Sequence, residues 1–585
     1  MDLFSILTLI GGLSLFLFGM NYMGDSLKKL SGSKLEMILS KLTSNRFKGF
    51  LLGFGVTAII QSSSAVMVML VGFVNSGIMQ LFQTTSVLMG ANIGTTVTGW
   101  LLSTSGISGG NVLLQLLKPS SFTPVLAIVG LVMNMFSKSD AKKNIGSILL
   151  GFAILMFGMD MMSGATEGLQ DSQSFKSMLV MFSNPIAGIL VGTAFTAIIQ
   201  SSSASVGILQ ALSLANAIPI STALPIILGM NIGAALPPIL SAISGNNDAR
   251  RVAASCVYIK IIGVAVVAGA FYALDAVVDF GFMDVNSNVF SIAFIHTLFN
   301  IVSTVILMPF CKGIEKLAEM TFKGDSEELD TFDSLDTRFL NYPAFAAEQT
   351  RELTADMAKL SMKSMELSIS LLGDYDAHKM AKVESHEQTV DKYEDKLSAY
   401  LVTLSRQQLT DSESTDVMAL MHIIDNVERI SDNACGFAET VKEMSEHNIS
   451  LSENASKEML VIADAVKEIM NLTVLAVSKN DYMATLKIEP LNKIISEISY
   501  QMKKNHITRV QRSECSVGFG FVYSNLINYF GRVADHCANL AVYLLQTESG
   551  TFSPHEYKNH LSEDQTDSMQ GFYDEYRDRY TLAAK

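Results

Sequence analysis

The chain has little charge, little proline and few cysteines for its length. Of its 585 residues, 17% are Asp, Glu, Lys or Arg and 11 are proline. The five cysteines show no C-x-x-C spacing and no even-numbered framework, so the sequence indicates neither a zinc site nor a disulfide scaffold. It also contains no catalytic constellation, nucleotide-phosphate loop or metalloprotease motif. We therefore expect a protein that is not an enzyme.

Charge is divided unequally along the chain. Up to Lys312 there are 15 Lys and Arg against 11 Asp and Glu, which leaves 27 against 45 beyond it, so the two parts carry net charges of +4 and −18. The hydrophobic content of 49% indicates that part of the chain lies in lipid. These values predict a membrane half joined to an acidic soluble half. The acidity argues against a nucleic-acid partner, because phosphate-backbone binding needs clustered Lys and Arg.

Seven apolar segments are long enough to cross a hydrocarbon core of about 30 Å. They lie near residues 3–23, 81–103, 122–137, 145–165, 219–243, 252–274 and 288–311. The first has no basic leader and no small-residue cleavage site, so we expect a retained helix rather than a signal peptide. Two further apolar stretches, 48–76 and 186–216, are interrupted by Gln-Ser-Ser-Ser and are predicted to be re-entrant helical hairpins.

The membrane half contains an internal repeat at a constant offset of 139 residues. The nonapeptide Thr-Ala-Ile-Ile-Gln-Ser-Ser-Ser-Ala occurs at 57–65 and at 196–204. The motif Gly-x-Asn-Ile-Gly occurs at 90–94 and at 229–233. We predict that repeat 1 covers about 10–137 and that repeat 2 covers about 145–312.

The distribution of Lys and Arg predicts the orientation, because these residues concentrate in short cytoplasmic loops. Basic residues follow the first, third and fifth predicted crossings, and acidic residues lie in the intervening loops. Seven crossings with the N-terminus outside satisfy this pattern and place the soluble half in the cytoplasm. The two repeats then have inverted orientations, with one hairpin entering from each side, as alternating access requires.

The predicted hairpin tips concentrate polar groups within apolar sequence. Gln and Ser side chains both donate and accept hydrogen bonds, and a half-helix that begins at each serine run points free N–H groups at the tip. Such a site suits a small oxyanion, together with a hard monovalent cation that neutralises it. The alternative is that the serines and glycines only allow close helix packing in lipid. Packing alone does not require a glutamine in each copy.

These paired motifs resemble those of the type II sodium-dependent phosphate cotransporters, over roughly residues 10–312. The resemblance implies co-transport of inorganic phosphate with Na⁺ as the coupling ion. The phosphate-binding residues that it implies are Gln61, Ser62, Ser63, Ser64, Gln200, Ser201, Ser202 and Ser203. The sodium-binding residues are Asn92, Thr95, Thr98 and Asn231. Ala234-Ala235 stand where family members commonly have threonines, which leaves the number of sodium ions open.

One lysine lies inside a predicted membrane segment. Lys260 falls within the apolar stretch 252–274. Its side chain either faces the translocation path or extends toward the membrane surface, and the sequence does not separate these alternatives.

The soluble half has the pattern of a helical bundle. After an acidic linker at 316–343, apolar residues step by three and four, and similar patterns continue to 547 before a polar tail at 548–585. We therefore predict an all-α protein. A transmembrane domain of residues 1–315, made of two inverted repeats with re-entrant hairpins, precedes a helical domain at 344–547.

The helical domain resembles the PhoU-like domain, an internally duplicated pair of three-helix bundles attached to phosphate transporters. Its motif Asp-x-x-Glu-Arg-x-x-Asp at 425–432 aligns with Asn-x-x-Gly-Arg-x-x-Asp at 528–535. The resemblance implies a divalent or transition metal, with ligands among Asp425, Glu428, Asp432 and Asp535. The alternative is a solvated acidic face whose carboxylates pair with the arginines of the motif.

Three functions are consistent with these features. The first is sodium-coupled phosphate transport across the cytoplasmic membrane, with a cytoplasmic PhoU-like domain that limits uptake when phosphate is plentiful. The second is phosphate export on the same scaffold, and the third is a membrane-anchored PhoU-like module for signalling or metal binding. The expected partners are inorganic phosphate and membrane lipid, and association into a homo-oligomer is left open.

Overall fold

Helices make up most of the part of the chain that the structure describes. The computed structural model describes residues 3–31, 45–106, 119–137, 139–166, 182–214, 218–324, 331–479, 481–512, 517–549 and 563–582. Within these ranges no β-strand forms, and one isolated bridge joins Pro219 to Asn286. The prediction of an all-α fold is confirmed. The chain divides into two compact units, Met1–Arg338 and Phe339–Lys585.

The first unit contains both copies of the repeat. The helices of the first copy are α1 (Leu3–Ser31), α2 (Arg46–Ile60), α3 (Ser63–Asn75), α4 (Leu81–Gly94), α5 (Thr96–Ser103) and α6 (Pro119–Phe136). The second copy and the helices after it are α7 (Asp140–Thr166), α8 (Pro185–Ile199), α9 (Ser202–Leu214), α10 (Ile220–Gly233), α11 (Leu236–Ala242), α12 (Asn247–Val278), α13 (Val289–Leu307) and α14 (Cys311–Thr321).

Five helical spans among the described residues are long and apolar enough to cross a membrane. They are Phe4–Leu30, Asp140–Ala165, Ile220–Ala242, Asn247–Val278 and Val289–Thr321. They coincide with five of the seven predicted crossings. The crossing predicted at 122–137 corresponds to a shorter apolar helix, Ser121–Phe136.

The crossing predicted at 81–103 is divided into α4 and α5 at Thr95. The Thr95 hydroxyl donates to the Ala91 carbonyl at 2.9 Å, and the Thr96 hydroxyl donates to the Ile93 carbonyl at 2.7 Å. Hydroxyl groups that take backbone carbonyls in this way compete with the helical hydrogen bonds. Hydropathy does not detect this interruption, because it counts the segment only as apolar.

The outer surface of the first unit is apolar. Phe4, Ile198 and Val277 are 76%, 82% and 83% exposed, respectively. Exposed apolar surface on this scale is typical of contact with lipid or with another protein. Together with the five long apolar helices, it indicates a multi-pass membrane protein.

Glycines bring helices of each repeat into backbone contact. A Cβ atom added at Gly53 on α2 would lie 2.1 Å from the Val87 carbonyl oxygen on α4. At the equivalent Gly192 on α8, it would lie 2.1 Å from the Ile226 carbonyl oxygen on α10. Both repeats therefore pack the helix before the Gln-Ser-Ser-Ser motif against the helix that carries Asn-Ile-Gly.

The contact between α1 and α7 joins the two repeats. A Cβ at Gly12 would lie 2.9 Å from the Gly158 carbonyl oxygen, and one at Gly19 would lie 2.6 Å from the Gly151 carbonyl oxygen. The offset of 139 residues relates Gly12 to Gly151 and Gly19 to Gly158. Each contact is thus the image of the other, and the two helices run antiparallel. This is the pattern of a two-fold, self-complementary interface.

In the residues that the structure describes, the second unit contains two three-helix bundles and one further helix. Its helices are α15 (Pro343–Ser370), α16 (Ala377–Leu404), α17 (Asp411–Glu446), α18 (Glu453–Lys479), α19 (Tyr482–Gln511), α20 (Val517–Ser549) and α21 (Glu563–Arg579). Helices α15, α16 and α17 pack together, as do α18, α19 and α20, and α17 lies against α20. The rings of Phe437 and Phe530, 4.9 Å apart, join the two bundles.

The structure differs from the sequence interpretation at both ends of the soluble half. Asp336 lies in the acidic linker predicted at 316–343 and is buried. The polar tail contains helix α21, where Tyr573 donates to Glu497 at 2.9 Å and Lys493 lies over the Tyr573 ring at 4.4 Å. Neither contact was predicted, because each joins residues that lie far apart in the sequence.

Gly53→Ala is expected to destabilise the first unit, because its methyl group cannot fit 2.1 Å from a backbone carbonyl. Overpacking of this kind costs about 1–3 kcal/mol. Gly192→Ala should have a similar effect, whereas Gly55→Ala should be neutral, since nothing lies within 4 Å of its added methyl group. Thermal unfolding of the full-length protein in detergent measures the difference. Equal unfolding temperatures for Gly53→Ala and Gly55→Ala would contradict the proposed packing.

Candidate functional site

The two Gln-Ser-Ser-Ser motifs have the same local conformation. Gln61 and Gln200 end the preceding helices with left-handed backbones, at φ 60° and 59°. Their N–H groups donate to the Thr57 and Thr196 carbonyls at 2.8 and 2.7 Å. A left-handed backbone costs a non-glycine residue about 1–3 kcal/mol and tends to occur at functional sites. The repeat therefore reproduces an interruption between two helices as well as a sequence.

A serine begins the helix after each interruption. The Ser62 hydroxyl accepts a hydrogen bond from the Ala65 N–H at 3.3 Å, and the Ser201 hydroxyl accepts one from the Ala204 N–H at 3.2 Å. Helices α3 and α9 each contain 13 residues. Their N-terminal N–H groups therefore point toward the interruption, where the helix dipole also favours an anion.

The two motifs lie next to each other. The Ser64 hydroxyl donates to the Gln200 carbonyl at 3.4 Å, although 136 residues separate them in the sequence. Of the predicted phosphate-binding residues, Ser63, Ser202 and Ser203 are buried, and Ser62, Ser64, Gln61 and Ser201 are half-buried. The Gln-Ser-Ser-Ser motifs of the two repeats are thus in direct contact.

The Gln61 side chain connects the first tip to the division between α4 and α5. Its Nε2 donates to the Ala58 carbonyl, and its Oε1 accepts a hydrogen bond from the Thr98 hydroxyl at 2.7 Å. The predicted phosphate-binding and sodium-binding residues of repeat 1 are therefore in direct contact.

The two asparagines of the Asn-Ile-Gly motifs have different partners. The Asn231 Nδ2 donates to the Ile227 carbonyl of its own helix at 2.9 Å. The Asn92 Oδ1 accepts a hydrogen bond from Lys260 Nζ at 3.0 Å, and Lys260 is buried. The Lys260 side chain therefore points into the protein and not toward the membrane surface.

Two buried hydroxyl groups beside the tips were not among the predicted site residues. Thr57 and Thr196 are fully buried, and their hydroxyls have no hydrogen-bond partner among the described residues. A Cβ at Gly94 would lie 2.7 Å from the Thr57 Cβ, and one at Gly233 would lie 2.9 Å from the Thr196 Cβ. Each threonine thus lies where the helix of its Asn-Ile-Gly motif ends. Their matched positions in the two nonapeptides were the signal that could have identified them.

A polar cluster connects the segment before Arg338 to helix α3. The Asn75 Nδ2, at the C-terminus of α3, donates to Asp336 Oδ2 at 2.8 Å. The Asn75 Oδ1 accepts a hydrogen bond from the Asn246 N–H at 2.9 Å. Arg338 donates to Asp336 Oδ1 at 2.8 Å and to the Ser241 carbonyl at 3.4 Å. The end of the first unit is thus hydrogen-bonded to helices from both repeats.

In the second unit, three carboxylates lie close enough to hold a metal ion. Glu387, Asp391 and Asp432 each offer an oxygen within 4.8 Å of the others. The pKa values of Glu387 and Asp391 are raised, mainly by burial and then by neighbouring carboxylates. Of the four predicted ligands, Asp432 belongs to this group.

The other three predicted ligands have different surroundings. Asp425 forms an ion pair with Arg429 at 3.2 Å, and Asp535 accepts a hydrogen bond from Asn492 at 3.2 Å. Burial raises the pKa of Glu428 to about 7, with a further contribution from the charge of Asp432. The spacing on α17 alone did not indicate that α16 supplies the two remaining carboxylates.

Each of the two units contains residues that match a protein-family model. A family model described as Na⁺/Pi-cotransporter matches residues 15–165 and 164–286, which include both copies of the repeated motifs. A model described as PhoU domain matches residues 354–441 in the second unit.

Three relatives show how far the similarity extends. The chain is 30% identical over 306 residues to the "Uncharacterized protein YqeW" of Bacillus subtilis, covering 52% of this chain and 94% of that protein. It is 21% identical over 432 residues to the "Putative inorganic phosphate export protein YjbB" of Escherichia coli, covering 73% of this chain and 76% of that protein. Over 105 residues, 17% of this chain and 16% of the relative, it is 33% identical to the "Sodium-dependent phosphate transport protein 2A" of Rattus norvegicus.

Proposed function

Because the chain belongs to the Na⁺/Pi-cotransporter family and carries a PhoU domain, we propose that it moves inorganic phosphate across the cytoplasmic membrane by alternating access, coupled to Na⁺. The membership expected from the paired motifs is confirmed, and the family is one of transporters. The observation that carries the proposal is the contact between the two identical motifs, from Ser64 to Gln200.

Phosphate binding is proposed at the two tips. The serine hydroxyls donate hydrogen bonds, and the starts of α3 and α9 supply backbone N–H groups, so a tetrahedral oxyanion finds donors from both repeats. The proposed ligands are those that the sequence predicted, Gln61 to Ser64 and Gln200 to Ser203. The unpartnered hydroxyls of Thr57 and Thr196 are available to the anion or its cation.

Inverted repeats with re-entrant hairpins form the structural part of the proposal. The exchange of glycine contacts between α1 and α7 supports a two-fold relation between the repeats. The left-handed residues Gln61 and Gln200 support a helical hairpin in each repeat. We propose that one hairpin opens to each side of the membrane, with the N-terminus outside and the second unit in the cytoplasm.

Sodium binding is proposed beside the first tip. Asn92, Thr95 and Thr98 supply amide and hydroxyl oxygens, and the Thr98 hydroxyl is hydrogen-bonded to Gln61. A cation there would neutralise part of the charge of a buried phosphate. In repeat 2, Asn231 stands with Ala234 and Ala235, so its site lacks the hydroxyls that follow Asn92.

Regulation by the PhoU domain is proposed to act through Asp336. The Asp336 carboxylate binds Asn75 at the end of α3, and α3 begins at the serines of the first tip. A displacement of the segment that contains Asp336 would therefore act on the C-terminus of α3 through this hydrogen bond. This arrangement supports a domain that limits transport by restraining α3.

A metal ion on the PhoU domain is proposed at Glu387, Asp391 and Asp432. Carboxylate oxygens favour hard divalent cations such as Mg²⁺ or Mn²⁺. Protons compete with metal for these carboxylates, and the pKa values of Glu387 and Asp391 are raised, so we expect metal affinity to increase with pH.

Purified protein in liposomes is expected to take up labelled phosphate when Na⁺ outside exceeds Na⁺ inside, and to take up little when choline replaces Na⁺. Gln61→Ala and Gln200→Ala should each abolish uptake, because each removes part of a shared site. Phosphate uptake at the same rate with and without a Na⁺ gradient would contradict the proposed coupling to Na⁺. If both variants keep the function of the wild type, the first unit would instead be a membrane anchor for the PhoU domain. Phosphate loss from loaded cells, compared with uptake, distinguishes export from import.

Asp336→Ala is expected to weaken the dependence of uptake on internal phosphate, because it breaks the hydrogen bond to Asn75. Thr337→Ala is the matched control, since Thr337 is the exposed next residue. Uptake is measured in cells grown with low and with high phosphate. If Asp336→Ala and Thr337→Ala respond to phosphate in the same way, the proposed route of regulation is wrong.

Asp432→Asn is expected to lower Mn²⁺ affinity by roughly tenfold or more, whereas Asp425→Asn should leave it unchanged, because Asp425 pairs with Arg429. Electron paramagnetic resonance of free Mn²⁺ measures binding to the full-length protein. A larger loss of affinity in Asp425→Asn than in Asp432→Asn would instead favour the ligands predicted from the sequence, Asp425, Glu428, Asp432 and Asp535.

A further inference from the structure

Lys260 is a charged residue enclosed by the first unit. Its side chain is buried, and its Nζ donates to Asn92 Oδ1 at 3.0 Å. It shares the buried face of α12 with Cys256, whose Sγ lies 3.5 Å from Met67 Sδ on α3. Helix α12 also packs against α4 and α13. The ammonium group therefore lies among the helices that surround the first tip and not in the lipid.

In the described part of the chain, no carboxylate forms an ion pair with this ammonium group. Among the residues that the structure describes, the ion pairs of the first unit do not include Lys260. Burying an unpaired charge in a low-dielectric interior is costly, so such residues in membrane segments are usually functional. Here the amide oxygen of Asn92 provides the compensating dipole.

The hydrogen bond determines which atom of Asn92 faces Lys260. An ammonium group has three donors and no acceptor, so the asparagine must present its oxygen. A metal cation also binds an asparagine side chain through that oxygen and not through the amide nitrogen. Lys260 and a sodium ion therefore require the same atom, and two cations on one oxygen repel each other.

The second Asn-Ile-Gly motif has no lysine at the position that the offset relates to Lys260. The offset of 139 residues relates Asn92 to Asn231 and Lys260 to Ser121. Asn231 uses its Nδ2 on the Ile227 carbonyl, at 2.9 Å. The positive charge is thus a property of one repeat only, and it does not follow from the shared motifs.

We propose that the Lys260 ammonium is a tethered cation that takes the place of one sodium ion at Asn92, so that transport uses one Na⁺ fewer than it would without this lysine. The proposal rests on the proposed function of Asn92 as a sodium ligand. Lys260 acts as a specificity-determining residue, because it decides whether the Asn92 oxygen is available to a free cation.

The test compares Lys260→Met, which removes the charge, with Lys260→Arg, which keeps it. Trp100, the single tryptophan of the chain, donates to Thr297 at 2.9 Å and lies two residues after Thr98, so its fluorescence reports on this region. Sodium is titrated against choline in detergent, and the ratio of labelled sodium to labelled phosphate is measured in liposomes. Lys260→Met should show a higher Hill coefficient for Na⁺ and one more Na⁺ per phosphate, whereas Lys260→Arg should match the wild type.

An unchanged Hill coefficient and ratio in Lys260→Met would overturn the proposal. Loss of phosphate affinity with an unchanged sodium response would also overturn it, because Lys260 would then act on the anion. If Lys260→Met does not fold, Lys260→Gln replaces it, because its side chain is polar and neutral. The Hill coefficient for Na⁺ and the ratio of sodium to phosphate then test the proposal in the same way. Wild-type protein that moves no phosphate would contradict the proposed function alone, since the fluorescence titration of Na⁺ needs no transport.

Discussion

Every backbone N–H and C=O group inside a membrane needs a partner within the protein, and the arrangement of the first unit depends on this constraint. Two helices are interrupted at Gln61 and Gln200, which would normally leave polar groups unpaired. The interruption is closed locally, because each glutamine N–H bonds to a threonine carbonyl and a serine caps the next helix. Glycines such as Gly53 and Gly192 then bring a neighbouring helix to backbone distance. The proposed site is therefore a place where polar groups of both repeats are concentrated.

The two repeats have the same conformation at the tips, where the anion is proposed to bind. They differ at the asparagines, where the cation is proposed to bind. The tips have matching backbone angles and matching caps, whereas Asn92 binds Lys260 and Asn231 binds its own helix. A symmetric anion site and an asymmetric cation site are compatible in the proposed arrangement, because both tips would bind the phosphate, whereas the proposed sodium-binding hydroxyls of Thr95 and Thr98 occur in one repeat. The first property follows from residues that the two repeats share, and the second from residues that differ between them.

Much of the fold and part of the candidate site could be predicted from the sequence. The nonapeptide was detectable because nine identical residues recur at one offset, and identical sequence produced identical conformation. Lys260 and Asn92 lie 168 residues apart, so only the packing of α12 against α4 could bring them together. Similarly, the carboxylates that join Asp432 come from another helix, and spacing along α17 carries no information about them. Local patterns predicted local geometry, and contacts between helices required the structure.

The glycine contact between α1 and α7 affects the free-energy difference between a conformation open to one side of the membrane and a conformation open to the other. Gly12 meets Gly158 as Gly19 meets Gly151, so the contact is unchanged when the two repeats exchange roles. A rearrangement in which each repeat adopts the conformation of the other would preserve these contacts, and their contribution to the free-energy difference between the two states would cancel. Such an interface stabilises both states equally and therefore favours neither. The preference for one side would then come from residues that occur in a single repeat.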